Sequence, residues 1–385
     1  MNKGKTLFII HSYVDFTFFL PLILLFKKYY LGFDILFLGK EPKEISEDIY
    51  FKIYHENILS MDEPTQFILK NQAVSSSNKY IKKLLNIIYN YKCSPKLFKD
   101  VSYNLIITDQ SLNKYNPMCK MKLLKYLRKV NKSLKVISFV HSITIYKEMQ
   151  DKNRIKYYNS LIKYFEYIIY GDDSFDRLLK ETNVKHIKLP ALKYSNYFME
   201  FLKEYIVDNS QIMYNKKIKS YKKKLVFFDG VFEHDELKAS EIRLSIIDSI
   251  KLNWDCLFIF KIKPRDFKSI ILEIEEYNFK NVLFIFKEYS TEELSIIADY
   301  VVLAKASASI FFPLYLNTRT AILNSYSNKE IYFDDIKIDN INEIFDNNIK
   351  RPKNYCEYIN QNKLDINEEE ILSIYQELIR NERSL

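Results

Sequence analysis

"YNKKIKSYKKKLVFFDG", residues 214–230, divides the chain. Its first eleven residues hold six lysines and no acid. Such a run reads as solvated linker or helix surface. It passes without a break into an apolar strand, "KLVFFDG" (224–230), that stops at Asp229-Gly230. A boundary followed at once by a buried strand implies that a second domain starts here.

The residues before it alternate. "TLFII" (6–10), "DILFLG" (34–39), "NLIITD" (104–109), "LKVISFVH" (134–141), "YIIYG" (167–171) and "VKHIKLP" (184–190) read as strands. Apolar residues at helical spacing fall between them at 15–30, 78–91, 118–130, 152–165 and 173–182. The alternation restarts after the lysines. Strands are expected at 224–230, 255–262, 281–286, 299–304 and 319–323, and helices at 238–251, 266–277, 290–298 and 307–316. Ser290 and Glu293 have the spacing of a capping box. Strands alternating with helices make βαβ units and parallel sheets. The expected fold is α/β, with two Rossmann-like domains facing each other across a cleft. The boundaries are 1–195 for the first domain, 196–223 for a basic linker, 224–365 for the second domain and 366–385 for a C-terminal helix.

Composition narrows the function. At 385 residues the chain is comfortable for two domains. The bias toward Lys, Ile, Asn, Tyr and Phe is that of AT-rich coding, so the 31 tyrosines are not evidence for a binding function. A net charge of +9 suits an anionic partner but is too weak to indicate nucleic acid, and no nucleic-acid-binding motif is present. Four scattered cysteines, without a C-x-x-C pair, fit a reducing cytoplasm. "FTFFLPLILLF" (16–26) runs only 11 residues without a charge, against the roughly 20 a spanning helix needs, and reads as a buried helix. "KKYY" (27–30) offers a place for peripheral contact with the inner membrane surface.

Chemistry is expected at the carboxyl ends of the strands, where open α/β sheets bind ligands. In the first half these ends carry His11-Ser12, Asp109-Gln110, His141-Ser142 and Gly171-Asp172. In the second half, "FIFKIKPRD" (258–266) ends a strand in Lys263-Pro264-Arg265. Proline fixes the backbone between two cations, and arginine grips phosphate oxygens in a fork. "ADYVVLAKASASIFF" (298–312) runs from a strand through Lys305 into Ser307 and Ser309 at a helix start. Hydroxyls and free N–H groups there hold anions. Taken singly, solvated cations and plain N-capping by serine account for these features. Together, on nearby strand ends of one half, they fit a bound nucleotide phosphate. G-x-G-x-x-G, the P-loop, G-x-S-x-G, H-E-x-x-H and D-x-D are all absent.

"FKIKPRD" (260–266) and "STEELSIIADYVVLAKASAS" (290–309) resemble the second domain of GT-B glycosyltransferases. More narrowly, the chain resembles the bacterial group of family 52 sialyltransferases, polysialyltransferases and CDP-glycerol transferases. That group carries a strand ending in a His-Pro motif, then a short helix, then an aspartate-led strand followed by paired serines. The likeness is clearest over 224–325 and architectural over 1–190. It implies transfer of a CMP-activated acidic sugar, such as sialic acid, to a lipooligosaccharide or capsule glycan or to a lipid-linked glycan. No metal and no cofactor beyond the donor are implied. Lys263, Arg265, Ser307, Ser309 and Lys305 would hold the donor phosphate. Lys263 stands where the group has histidine, and lysine is a poor proton donor at neutral pH. The base would be Asp235, His141 or Asp15, in that order. A non-catalytic GT-B scaffold and a UDP-sugar 2-epimerase on the same fold are the alternatives.

Overall fold

The computed structural model describes residues 5–10, 12–39, 49–59, 66–70, 103–109, 117–140, 152–161, 164–171, 175, 179–189, 192–228, 236–262, 274–286, 288–304, 307–323, 333–346 and 368–380. The helix expected at 78–91 lies outside them.

Seven strands form the first sheet: β1 (Lys5–Ile10), β2 (Phe33–Gly39), β3 (Gln66–Lys70), β4 (Tyr103–Asp109), β5 (Lys135–Phe139), β6 (Tyr167–Tyr170) and β7 (His186–Lys188). Their order is β3-β2-β1-β4-β5-β6-β7, and every pairing is parallel. The second sheet has six: β8 (Lys223–Phe228), β9 (Cys256–Lys261), β10 (Val282–Ile285), β11 (Tyr300–Leu303), β12 (Arg319–Leu323) and β13 (Lys337–Ile338). Their order is β10-β9-β8-β11-β12-β13, again all parallel. Both sheets are doubly wound. The chain starts in the middle, winds to one edge, then returns to continue on the other side of its first strand. The strand order therefore reverses between β1 and β4, and between β8 and β11.

Both faces of each sheet are covered, which is why the strands read as unbroken apolar runs. Alternate residues face opposite ways. Leu7, Ile9, Leu36 and Ile106 point into one cluster of the first domain, and Leu225, Phe227, Phe258 and Phe260 into one of the second. The opposite faces, with Phe8, Ile35, Leu105 and Ile107 from the first sheet and Val226, Phe228, Ile259 and Val301 from the second, join a single apolar cluster. Helix α1 (Tyr13–Lys28) fills that cluster from the first sheet's side, with Phe16, Phe18, Phe19, Leu22, Ile23 and Phe26 buried. Among the described residues no helix is long and apolar enough to cross a membrane.

The segment 196–223, expected as a basic linker, is helical. It forms α5 (Asn196–Asn209), a 3-10 turn (Gln211–Tyr214) and α6 (Lys216–Lys219). Ser195, Ser210 and Asn215 cap these in turn, each accepting from a backbone N–H of the turn it opens. Phe198, Leu202 and Ile206, at i, i+4 and i+8, point into the shared cluster, as do Ile212 and Ile218. This apolar period is in the sequence, next to the lysine run that follows it.

Helix α4 (Lys152–Leu161) lies in the first half and α7 (Glu236–Leu252) in the second, and helix α10 (Glu368–Arg380) returns to the first domain. Tyr375 stacks on Phe139 at 6.4 Å and meets the edge of Phe26 at 5.8 Å. Glu368 accepts from Lys28 at 2.5 Å and from the Tyr29 hydroxyl at 2.9 Å, while Lys27 donates to the Asn57 carbonyl. Three of the four "KKYY" side chains are thus used inside the fold. Tyr30, 93% exposed, stands out from it.

Candidate functional site

The end of the second sheet decides whether the expected phosphate-holding segments can meet. Lys261, Phe228 and Leu303 lie level across β9, β8 and β11. At 4.7–4.9 Å per strand, the ends of β9 and β11 are about 10 Å apart with β8 between them. Lys263-Pro264-Arg265 follows the first and Ser307–Ser309 the second. The two strands end on either side of β8, and the strand order reverses between β8 and β11. Lys263, Arg265 and Lys305 themselves lie outside the described residues, as do Asp235 and His141.

Ser307 and Ser309 are half-buried. Ala308–Ile310 is a 3-10 turn, closed by a bond from the Ile310 N–H to the Ser307 carbonyl (3.1 Å). It leads into α9 (Phe311–Tyr315), whose N-cap is Ile310 and which has no side-chain cap bond. Serine capping of α9 is thus not what these hydroxyls do. A five-residue helix also has little dipole to offer.

Sequence reading gave no role to Lys261. Its ammonium donates to the carbonyls of Phe286 (2.7 Å) and Tyr289. This ties the end of β9 to the turn after β10, where Glu288 accepts from the Phe286 N–H (2.8 Å). The strand end that carries Lys263 is therefore anchored on its outer side.

At the first sheet's reversal, β1 leads through residue 11 into the start of α1. Ser12 Oγ accepts from the Asp15 N–H (3.2 Å), and Asp15 Oδ2 accepts from the Ser12 N–H (2.9 Å). Asp15 is buried and serves this capping box. On the neighbouring strand Asp109, also buried, meets Lys120 from the first turn of α3 (Pro117–Val130). Lys120 Nζ lies 2.6 Å from Asp109 Oδ1 and 2.8 Å from its carbonyl. A cation in a first turn opposes the helix dipole, and burying both charges is costly. That cost makes the pair a functional candidate which sequence reading missed. "NLIITD" placed Asp109 at a strand end, but nothing in the spacing announced its partner.

Side chains from three parts of the chain bridge one flank of the cleft. Tyr50, from α2 (Ile49–Tyr54), donates to Glu292 Oε1 at 2.7 Å. Lys193 sits 4.7 Å over the Tyr50 ring and donates to Thr17 Oγ1 at 3.1 Å. Helix α8 (Thr291–Ile297) opens with the expected capping box, Ser290 N–H to Glu293 Oε2 (2.7 Å) and Glu293 N–H to Ser290 Oγ (3.1 Å). Ser210 adds a further bond to Glu293. Tyr194 packs edge-on against Phe311 at 4.9 Å, and burial, then the Glu292 charge, pushes its hydroxyl pKa up. A separate cavity of about 680 Å³, lined in part by Lys203, Val207, Asp299 and Arg319, opens at the amino ends of β11 and β12, away from this cleft. Among the described residues no group of His, Cys, Asp or Glu could hold a metal ion.

No family model and no curated protein matches the sequence. Solved structures do match its fold. A UDP-N-acetylglucosamine 2-epimerase aligns with TM-score 0.63 at 11% identity, over 100% of this chain and 99% of that one. The UDP-GlcNAc 2-epimerase of Neisseria meningitidis, bound to UDP-GlcNAc, aligns with TM-score 0.60 at 14% identity, over 98% and 100%. The enzyme of Rickettsia bellii gives 0.55 at 10%, over 98% and 97%. The chain has the GT-B fold. At such identities the likeness is one of architecture: two Rossmann-like domains whose strand ends face a common cleft.

Proposed function

We propose that the chain is a nucleotide-sugar enzyme and that its reaction is glycosyl transfer. The observation that carries this is that β9 and β11, the strands that precede "KPR" and "SAS" in the sequence, end level on either side of β8 in a doubly wound sheet. Lys263 and Arg265 hold the donor phosphate from one side. Ser307, Ser309 and Lys305 hold it from the other. These groups neutralise the leaving phosphate as the glycosidic bond breaks, without a metal. The first domain presents the acceptor. Asp235 or His141 takes its proton, and Asp15, committed to a capping box, comes after them. The sequence resemblance makes the donor a CMP-activated acidic sugar and the acceptor a surface glycan.

A second reading, 2-epimerisation of a UDP-sugar, is favoured by the end-to-end likeness to UDP-GlcNAc 2-epimerases. On that reading Asp109 would stand among the acids around the sugar ring.

Calorimetry with CMP, CDP, UDP and GDP separates them, repeated on Lys263→Ala and on Ser307→Ala/Ser309→Ala. Cytidine selectivity lost in both variants supports transfer. UDP selectivity, with deuterium from solvent appearing at C2 of UDP-GlcNAc, supports epimerisation. A folded chain that binds none of the four overturns both and leaves a non-catalytic scaffold.

A further inference from the structure

The lysine run that marks the domain boundary returns at the amino ends of the second sheet. Lys223 opens β8, level with Cys256, which opens β9. Val282 opens β10, level with Phe258. The loops before these three strands are therefore neighbours along one edge. Lys217 of α6 donates to the Val282 carbonyl at 2.6 Å, which seats α6 at the same edge. Lys216, Lys219, Lys222, Lys223, Lys251 and Lys280 are all exposed there.

Large apolar side chains stand among them. Trp254 is 77% exposed, Leu252 70% and Tyr277 50%. Lys251 lies 4.9 Å over the Tyr277 ring, and Tyr277 stacks on Phe279 at 5.4 Å. The turn carrying Trp254 is fixed. The Cys256 N–H donates to the Asn253 carbonyl (3.0 Å). Below it the buried Asn281 amide reaches the carbonyls of Ile250, Asn253 and Cys256 at 3.2, 3.3 and 3.2 Å. A tryptophan held out into water by a buried staple is an energetic cost that folding alone does not explain.

The acids at this edge are few or engaged. Asp255 pairs with Lys223 at 3.1 Å, and Asp299 accepts from the Lys224 backbone at 2.8 Å. Glu275 and Glu276 precede Tyr277. Asp248, exposed one helical turn before Leu252, is a fifth acid; six exposed lysines, with Lys217 and Lys224 half-buried beside them, still leave the edge positive.

We infer that this edge is a docking surface for an anionic lipid bilayer. Tryptophan, tyrosine and leucine enter the headgroup boundary, and lysines bury their stems while their ammonium groups meet lipid phosphates. The phosphate-holding strand ends lie at the opposite end of the same sheet, about 20 Å away for a six-residue strand. Docking at this end leaves the strand ends that, on the proposed function, hold the donor phosphate open to water.

Trp254 is the one tryptophan in the chain and reports on its own docking. Vesicles of mixed phosphatidylglycerol and phosphatidylcholine should blue-shift its emission and shield it from acrylamide. Vesicles of phosphatidylcholine alone should not. In flotation, Lys219→Ala/Lys222→Ala should bind about 30-fold more weakly, taking about 1 kcal/mol per lysine and tenfold per about 1.4 kcal/mol. Leu252→Ser/Trp254→Ser should also lose flotation while keeping its melting temperature. No shift with either vesicle overturns the inference, as does equal binding to both. A blue shift that grows with protein concentration and needs no lipid overturns it in favour of a second copy of the chain. None of these readouts depends on nucleotide binding.

Discussion

Asp109 and Lys120 are where a single residue tells most. Two opposite charges are buried together at a strand end that faces the cleft. Lys120→Met leaves a buried carboxylate without its cation and should cost about 3–5 kcal/mol in urea unfolding. Asp109→Leu/Lys120→Met should recover part of that loss. If the double variant is no better than the single one, the pair is not what holds the site. Cys256 makes a simpler case. Burial, above all, pushes its thiol up to about 12, so almost no thiolate forms at pH 8. Mass spectrometry after iodoacetamide treatment should find Cys256 unmodified in the folded chain and alkylated in urea. Labelling at the rate of an exposed thiol would contradict its buried place at the start of β9. Residue roles were the least legible part of the sequence. The lysine at 263 could be read as a phosphate ligand because a strand and a proline frame it. The lysine at 120 could not, because its partner is eleven residues away on another element.

Elements were more legible, for a physical reason. Parallel strands covered on both faces are apolar throughout, so "TLFII", "NLIITD" and "DCLFIFKI" announce themselves. What escaped was short or masked by charge: β3, with Gln66 and Lys70 at its ends, the two-residue β13, and α5 beside the lysines. Helix α5 is held to α9 by Glu200, which accepts from Lys203 at 2.8 Å and from the Tyr315 hydroxyl. Lys203 first, then Tyr315, holds the Glu200 carboxyl below its ordinary value of 4.5. A depressed folded pKa gives stability that is complete above the ordinary value and is lost as pH falls through the folded one. Urea midpoints from pH 7 to pH 3 should therefore drop more steeply for the wild-type chain than for Glu200→Gln. Parallel curves would show that the contact contributes nothing to the tie between α5 and α9.

The whole molecule behaves as its core dictates. Domains of one chain commonly meet over modest, polar interfaces and move apart readily. Here one face of each sheet, with α1, α5 and α10, shares a continuous apolar cluster. Tyr50–Glu292, Ser210–Glu293 and Tyr194–Phe311 cross between its parts. The sequence showed two domains but not this joining, because no local pattern states which face of one sheet meets which face of another. A shared core implies that neither domain is stable without the other. Scanning calorimetry should therefore give one transition, with calorimetric and van't Hoff enthalpies in agreement. Phe198, fully buried on the bracing helix, is the sharpest probe. Phe198→Ala should cost about 3–5 kcal/mol and lower the single transition as a whole. If it instead splits the melt in two, the domains fold independently and the cluster is a contact between them. A melt that moves down without splitting means that the helix read as a linker is a structural part of both domains.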